Sequence, residues 1–239
     1  MESQESQQEI QQPTPELPPS IQPRPSPLWP QHLIDLFIRP RKFFAGQLAL
    51  GKTPYVILVT WCYGISSAID RIDRELIRAE LGSPRPGWDQ FGPLITESWL
   101  GFWVTVLLLG VIGGLFLWWI GGWWYRVRVR WSGVNEPDKR LARLLFVYSS
   151  FVHSGPAVAL AVAMTMAYPN YAQAYSSDEP YTLLLLVFPF WSVITSYAGV
   201  RTLFQVSRWK ARIWFVILPC LFYIMVFGVI AIFYAFLAG

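Results

Sequence analysis

Apolar positions gather into five long stretches, and polar positions fall almost wholly between them. The stretches are Thr53–Ile69, Ser98–Tyr125, Leu144–Tyr168, Tyr181–Val200 and Ile213–Ala238. About 20 predominantly apolar residues cross a hydrocarbon core of ~30 Å as a helix. Each stretch therefore predicts a transmembrane helix. The first is at the short end of that range, and the second is long enough to tilt. Trp99 and Trp103 at one end of the second stretch, and Trp118, Trp119, Trp123 and Trp124 at the other, suit the aromatic belts of a bilayer. The predicted fold class is an all-α integral membrane protein, a bundle of five transmembrane helices with an N-terminal interfacial amphipathic segment.

Ahead of the spans, residues 1–30 are polar and rich in Gln and Pro. Repeated prolines remove backbone donors and little apolar surface is available to bury, so this part reads as a disordered cytosolic tail. Residues 31–239 form the membrane domain. Within residues 28–51, Leu33, Ile34, Leu36 and Phe37 make an apolar face, Pro40 interrupts it, and Phe43, Phe44 and Leu48 follow. Arg39, Arg41 and Lys42 sit between them. Aromatics at the headgroup boundary beside basic groups are the signature of a segment lying on anionic lipid.

Composition agrees with the pattern. Of 239 residues, 54% are hydrophobic and only 14% charged, against about 25% charged in an average soluble protein. The chain lacks the charge to coat a water-facing surface. The loops orient it. Residues 126–143 carry Arg126, Arg128, Arg130, Lys139, Arg140 and Arg143 against Glu136 and Asp138, and the last loop carries Arg201, Arg208, Lys210 and Arg212 with no acid. The loop 169–180 has Asp178 and Glu179 and no basic residue. The excess of Lys and Arg faces the cytoplasm, which predicts a cytoplasmic N-terminus and a C-terminus outside. The same placement explains the net charge of +4 without a nucleic-acid partner.

Candidate chemistry is sparse. His153 lies inside the third span beside Ser149, Ser150, Ser154 and Pro156, and an ionisable residue within a membrane is a functional candidate. With Ser192 these residues make a candidate intramembrane polar site: a proton relay or substrate contact on one reading, a neutral histidine bonded to a serine or to a carbonyl freed by Pro156 on the other. Gly155, Ala159, Ala163 and Ala167, with Gly110 and Gly114, form a candidate helix-packing seam, since small residues four apart let backbones approach. The seam serves packing within the monomer or a homo-oligomer. Candidate interfacial and cytosolic contacts are Arg39, Arg41, Lys42, Phe43, Phe44, Arg208, Lys210 and Arg212. Pro189 and Pro219 are expected to loosen the fourth and fifth helices. Asp70, Asp73, Glu75 and Glu80, interleaved with Arg71, Arg74 and Arg78, read as a salt-bridged helical extension of the first span. No nucleophile–base set, metal-ligand set or nucleotide loop is present in the sequence, so no catalytic residue, metal or cofactor is expected.

Three segments resemble the Yip domain family, the Ypt/Rab-interacting proteins and their bacterial relatives. A Pro-x-x-Phe-Phe element (Pro40, Phe43, Phe44) precedes the first span. The run Arg140–Leu160 is similar to the family's Tyr and Pro pattern opening its third span. Tyr197–Arg212 is similar to its fourth-to-fifth connection. The resemblance implies five spans, a cytosolic N-terminus and no enzymatic chemistry. In eukaryotic members it implies binding of prenylated small GTPases through an acidic, aromatic N-terminal region, which this short Gln/Pro-rich tail lacks. Trp richness and compact loops suit a bacterial inner-membrane protein. The expected role is a membrane scaffold that holds a membrane-protein partner or organises lipid, with a small transporter or channel built around His153 as the alternative.

Overall fold

The computed structural model describes residues 29–177 and 185–238, and every regular element among them is helical. Residues 1–28 of the expected disordered tail, Asp178, Glu179 and the first residues of the fourth predicted span lie outside the described residues, while Trp29 and Pro30 at the end of that tail begin the first helix. The helices are α1 (Trp29–Ile38), α2 (Pro40–Phe43), α3 (Val56–Glu80), α4 (Trp88–Thr96), α5 (Trp99–Trp131), α6 (Lys139–Ala167), α7 (Tyr171–Tyr175), α8 (Val187–Leu203), α9 (Arg208–Arg212) and α10 (Leu218–Ala238). A π-helical turn, Phe44–Leu48, continues α2, and a second, Ile213–Ile217, joins α9 to α10. Among the described residues three helical stretches are long and apolar enough to cross a membrane: Trp99–Trp131, Lys139–Ala167 and Arg208–Val229.

The centre of the bundle is a mutual packing of α3, α5 and α6, with α8 against α6. Helix α3 starts at an unusual point. Tyr55 just before it has φ +55°, a left-handed conformation rare for a bulky residue. The Tyr148 hydroxyl on α6 donates to the Pro54 carbonyl at 2.6 Å and holds this turn in place. From Val56 the helix runs without a break through the carboxylate-rich segment to Glu80. There Arg78 and Arg85 both pair with Glu75, at 2.8 and 3.1 Å.

Two buried clusters lie at opposite ends of α3. One gathers Val59, Tyr125, Val129, Leu144–Tyr148, Val152, Val200 and Phe215. The other gathers Ile65, Ile69, Ile72, Phe102, Val106, Ala161 and Tyr171. Part of the N-terminal segment belongs to the first cluster, which corrects the expectation that Phe43 and Phe44 face lipid. Phe43 and Phe44 are 2% and 0% exposed. Phe43 packs edge-on against Tyr148 at 5.1 Å, and the Phe44 ring fills the space opposite Gly199. Leu36 and Leu48 are buried with them, while Arg39, Arg41 and Lys42 stay exposed. Phe43 and Phe44 turn inward because α8 offers a glycine-lined recess, and the charges remain outside with Ile34 and Ile38. The Trp191 indole donates to the Phe37 carbonyl at 2.8 Å and ties α1 to α8.

Pro189 differs from expectation, while Pro219 fits it, standing beside a π turn that loosens the helix. Pro189 falls in the first turn of α8, where a missing N–H costs no intrahelical bond. It begins a helix rather than breaking one. Pro219 stands just past the second π turn. There the Leu218 N–H donates to the Ile213 carbonyl, and Pro219 has no N–H to offer. The Trp214 carbonyl is left without a donor four or five residues on. Arg128 fills that place: its Nε donates to the Trp214 carbonyl at 2.9 Å and its Nη2 to the same oxygen. The guanidinium lies over the Phe215 ring at 4.2 Å and the Tyr125 ring at 4.8 Å. Arg128 is no loop charge: α5 runs on to Trp131 and buries it, at 6% exposed.

Candidate functional site

His153 stands on α6 with its ring edge-on to Tyr63 of α3, centroids 5.6 Å apart. Its Nδ1 is buried and meets no hydrogen-bond partner, and the same holds for the hydroxyls of Ser149 and Ser154 and for Thr195 on α8. Neither a serine nor a Pro156-freed carbonyl takes the histidine Nδ1. Among the described residues no group of three His, Cys, Asp or Glu side chains could hold a metal ion.

The polar residues singled out from sequence do not converge on one centre. The Ser192 hydroxyl donates to the Pro189 carbonyl on its own helix, at 2.9 Å. Pro156 lines an apolar groove instead. The Ser154 carbonyl lies 4.0 Å from the Cys62 thiol. Other residues complete the polar seam between α5, α6 and α8: the Tyr125 and Ser196 hydroxyls are 2.7 Å apart, both buried. Their sequence signal is the Ser192, Thr195, Ser196 spacing, which puts small hydroxyls on one face of α8.

The small-residue seam divides. Gly110 and Gly114 of α5 face Gly64 of α3 so closely that a Cβ on Gly64 would lie 2.6 Å from the Gly114 nitrogen and 2.9 Å from the Gly110 carbonyl carbon. Gly64 lies outside the small-residue spacing of the sequence. On α6, the atoms nearest a Cβ on Gly155 belong to the ring of Phe151 from its own helix. Ala159, Ala163 and Ala167 are exposed and line, with Pro156, Leu185 and Phe188, an apolar groove of about 520 Å³. Close backbone packing thus uses α5 and not the alanines of α6.

At the other end of α3 the Tyr171 hydroxyl donates to Asp73 at 2.5 Å, and its ring stacks on Phe102 with centroids 4.0 Å apart. This joins α7 to α3 and α5. Burial pushes the Asp73 carboxyl up to about 6, with Asp70 adding to the rise and the Tyr171 bond and Arg74 opposing it. The raised value means ionisation costs native stability. The stabilising share is complete below the unfolded value of 3.8 and is lost as pH rises through about 6. Unfolding in detergent should therefore show wild type losing about 1 kcal/mol relative to Asp73→Asn between pH 5 and pH 7. Parallel pH profiles for the two proteins would refute the assignment.

Four basic side chains complete the inventory. Arg208, Lys210 and Arg212 are exposed on α9, while Arg201 is half-buried at the end of α8. Helix α9 is seated by buried Ala211 and by the Ser207 N–H, which donates to the Ser132 carbonyl at 3.0 Å. Trp209 projects beside them, 63% exposed.

The family model of the Yip1 domain matches residues 34–232. The chain belongs to the Yip1 domain family. The match starts within α1 and ends within α10, so it takes in the buried Phe43–Phe44 element, the central three-helix packing and the α9 connection alike. With its three long apolar helices, this Yip1 domain protein is a membrane protein. No curated protein and no solved structure matches the chain.

Proposed function

We propose that this Yip1 domain protein is a non-enzymatic membrane scaffold that holds another membrane protein through its α8–α9 surface. The observation that carries the reading is the fixed basic platform on α9. Arg208, Trp209 and Lys210 are exposed on a helix whose other side is anchored, and no described carboxylate pairs with either cation. A cationic and aromatic surface that no described carboxylate neutralises suits an acidic partner segment. In this reading five helices span the membrane, α3 and α8 supplying the two beyond the long apolar three, and residues 1–30 form a tail outside the membrane domain. The basic α5–α6 and α8–α9 connections face the cytoplasm, the N-terminus lies on that side, and the C-terminus lies outside. The inner membrane of a bacterium fits the compact loops.

Mild-detergent purification of the tagged, native-level protein tests the reading. A protein partner should be retained in stoichiometric amount by wild type and by His153→Ala, and reduced at least tenfold by the double variant Arg208→Glu, Lys210→Glu. Retention by the double variant, or solute flux in vesicles that depends on His153, would overturn it.

A further inference from the structure

A second basic feature lies on a different surface. Trp123, Arg126, Val127 and Arg130 lie on one face of α5, and the loop after the helix folds back so that Asn135 and Pro137 close a pocket of about 140 Å³. Arg126 is held by its Nε, which donates to the Pro137 carbonyl at 3.2 Å, so its two terminal nitrogens are left for another acceptor. Among the described residues neither Arg126 nor Arg130 pairs with a carboxylate. The acids nearby in the chain are otherwise placed: Asp138 accepts from the Leu141 N–H at 2.8 Å, and Glu136 is exposed and unpaired.

What lies along the helix from this pocket identifies its occupant. Ile112, Phe116, Trp119, Trp123, Arg126 and Arg130 follow one another at three- and four-residue spacing, so they share one face of α5. Ile112, Phe116, Trp119 and Trp123 are 67%, 57%, 60% and 62% exposed. An apolar track roughly 17 Å long, at 1.5 Å rise per residue, therefore leads to two arginines without a carboxylate partner. Arg143 of α6 adds a third cation, its guanidinium 4.0 Å from the Trp119 ring. Exposed Trp123, Trp124 and Trp131 cluster at this level, where indoles mark the headgroup layer. Arginine's planar fork matches phosphate oxygens.

We infer that this pocket holds the phosphate of an anionic phospholipid, whose acyl chain lies along the Ile112–Trp123 face of α5. A soluble phosphate would have no use for the track, and an acidic peptide would find apolar surface where it needs polar partners.

Native mass spectrometry of the delipidated full chain in detergent tests this. The protein is mixed with phosphatidylglycerol or phosphatidylcholine at equal concentration. One phosphatidylglycerol per chain should be retained, at least tenfold over phosphatidylcholine, and excess inorganic phosphate should not displace it. Arg126→Gln and Arg130→Gln should each reduce retention several-fold, and Glu136→Gln should leave it unchanged or raise it. Arg130 is exposed, so Arg130→Gln decides the matter even where Arg126→Gln fails to accumulate. Equal retention of the two lipids, or full retention by Arg130→Gln, overturns the inference. So does displacement by inorganic phosphate, which would make this a free-anion site, or by polyglutamate, which would make it a protein contact. Each of these failures leaves the α9 platform and its partner test untouched.

Discussion

Gly64→Val should prevent the protein from accumulating in membranes, or lower its stability in detergent by about 3 kcal/mol or more. The reason is what the new side chain would strike. A Cβ on Gly64 falls against the Gly110 carbonyl and the Gly114 nitrogen. These are backbone atoms of α5, and no rotamer change moves them aside. Gly110 and Gly114 return the constraint, since a Cβ on Gly114 would lie 2.9 Å from the Thr60 carbonyl oxygen. In a bilayer little hydrophobic force draws helices together, so close backbone approach carries much of the association. Ala159→Leu supplies the contrast. Ala159 is exposed in the α6 groove, and its leucine variant should accumulate normally and unfold within about 0.5 kcal/mol of wild type. Fluorescence-detected chromatography of both variants, followed by thermal unfolding, separates them. Normal stability of Gly64→Val would mean that α3 and α5 do not meet at this point.

Arg128→Met should destabilise the protein by about 2–4 kcal/mol, measured by the same unfolding assay. Methionine conserves much of the apolar stem but removes the donors. The Trp214 carbonyl would then stand unpaired where Pro219 already denies it a helical partner. Removing the guanidinium also withdraws it from the Phe215 and Tyr125 rings. Arg208→Met, on the exposed face of α9, should change stability by less than about 0.5 kcal/mol. Equal effects from the two substitutions would show that Arg128 does nothing beyond what a surface arginine does.

The long helices were legible because their evidence is additive. Twenty hydrophobic residues among the 28 of Ser98–Tyr125 leave little else for α5 to be, and alternating charge over Asp70–Glu80 extended α3 correctly. The buried details were not legible, because each depends on a neighbour distant in sequence. Phe43 and Phe44 carry the same hydropathy whether they face lipid or the recess at Gly199. Gly64 stands alone in its own helix, and its role emerges only opposite Gly110 and Gly114. Arg128 sits between Arg126 and Arg130 as one of three similar charges, yet it alone turns inward. Its periodicity with Tyr125 and Val129 was the available clue. For His153 the sequence offered a local bond to a serine or a freed carbonyl, and the structure leaves Nδ1 without one.

The contact between Arg128 and the Trp214 carbonyl also sets an order of events during synthesis. The two residues are 86 apart in the chain. At a ribosomal rate of about 5–20 residues per second, the arginine waits roughly 4–17 seconds for its acceptor to be made. Through that interval α5 must keep one positive charge at its C-terminal end among water or headgroups, and that end cannot be sealed. Closing the bundle is therefore deferred to the arrival of the last helix, and a chain stalled before residue 214 would present an unfinished, still-hydrated edge to whatever surveys nascent membrane proteins.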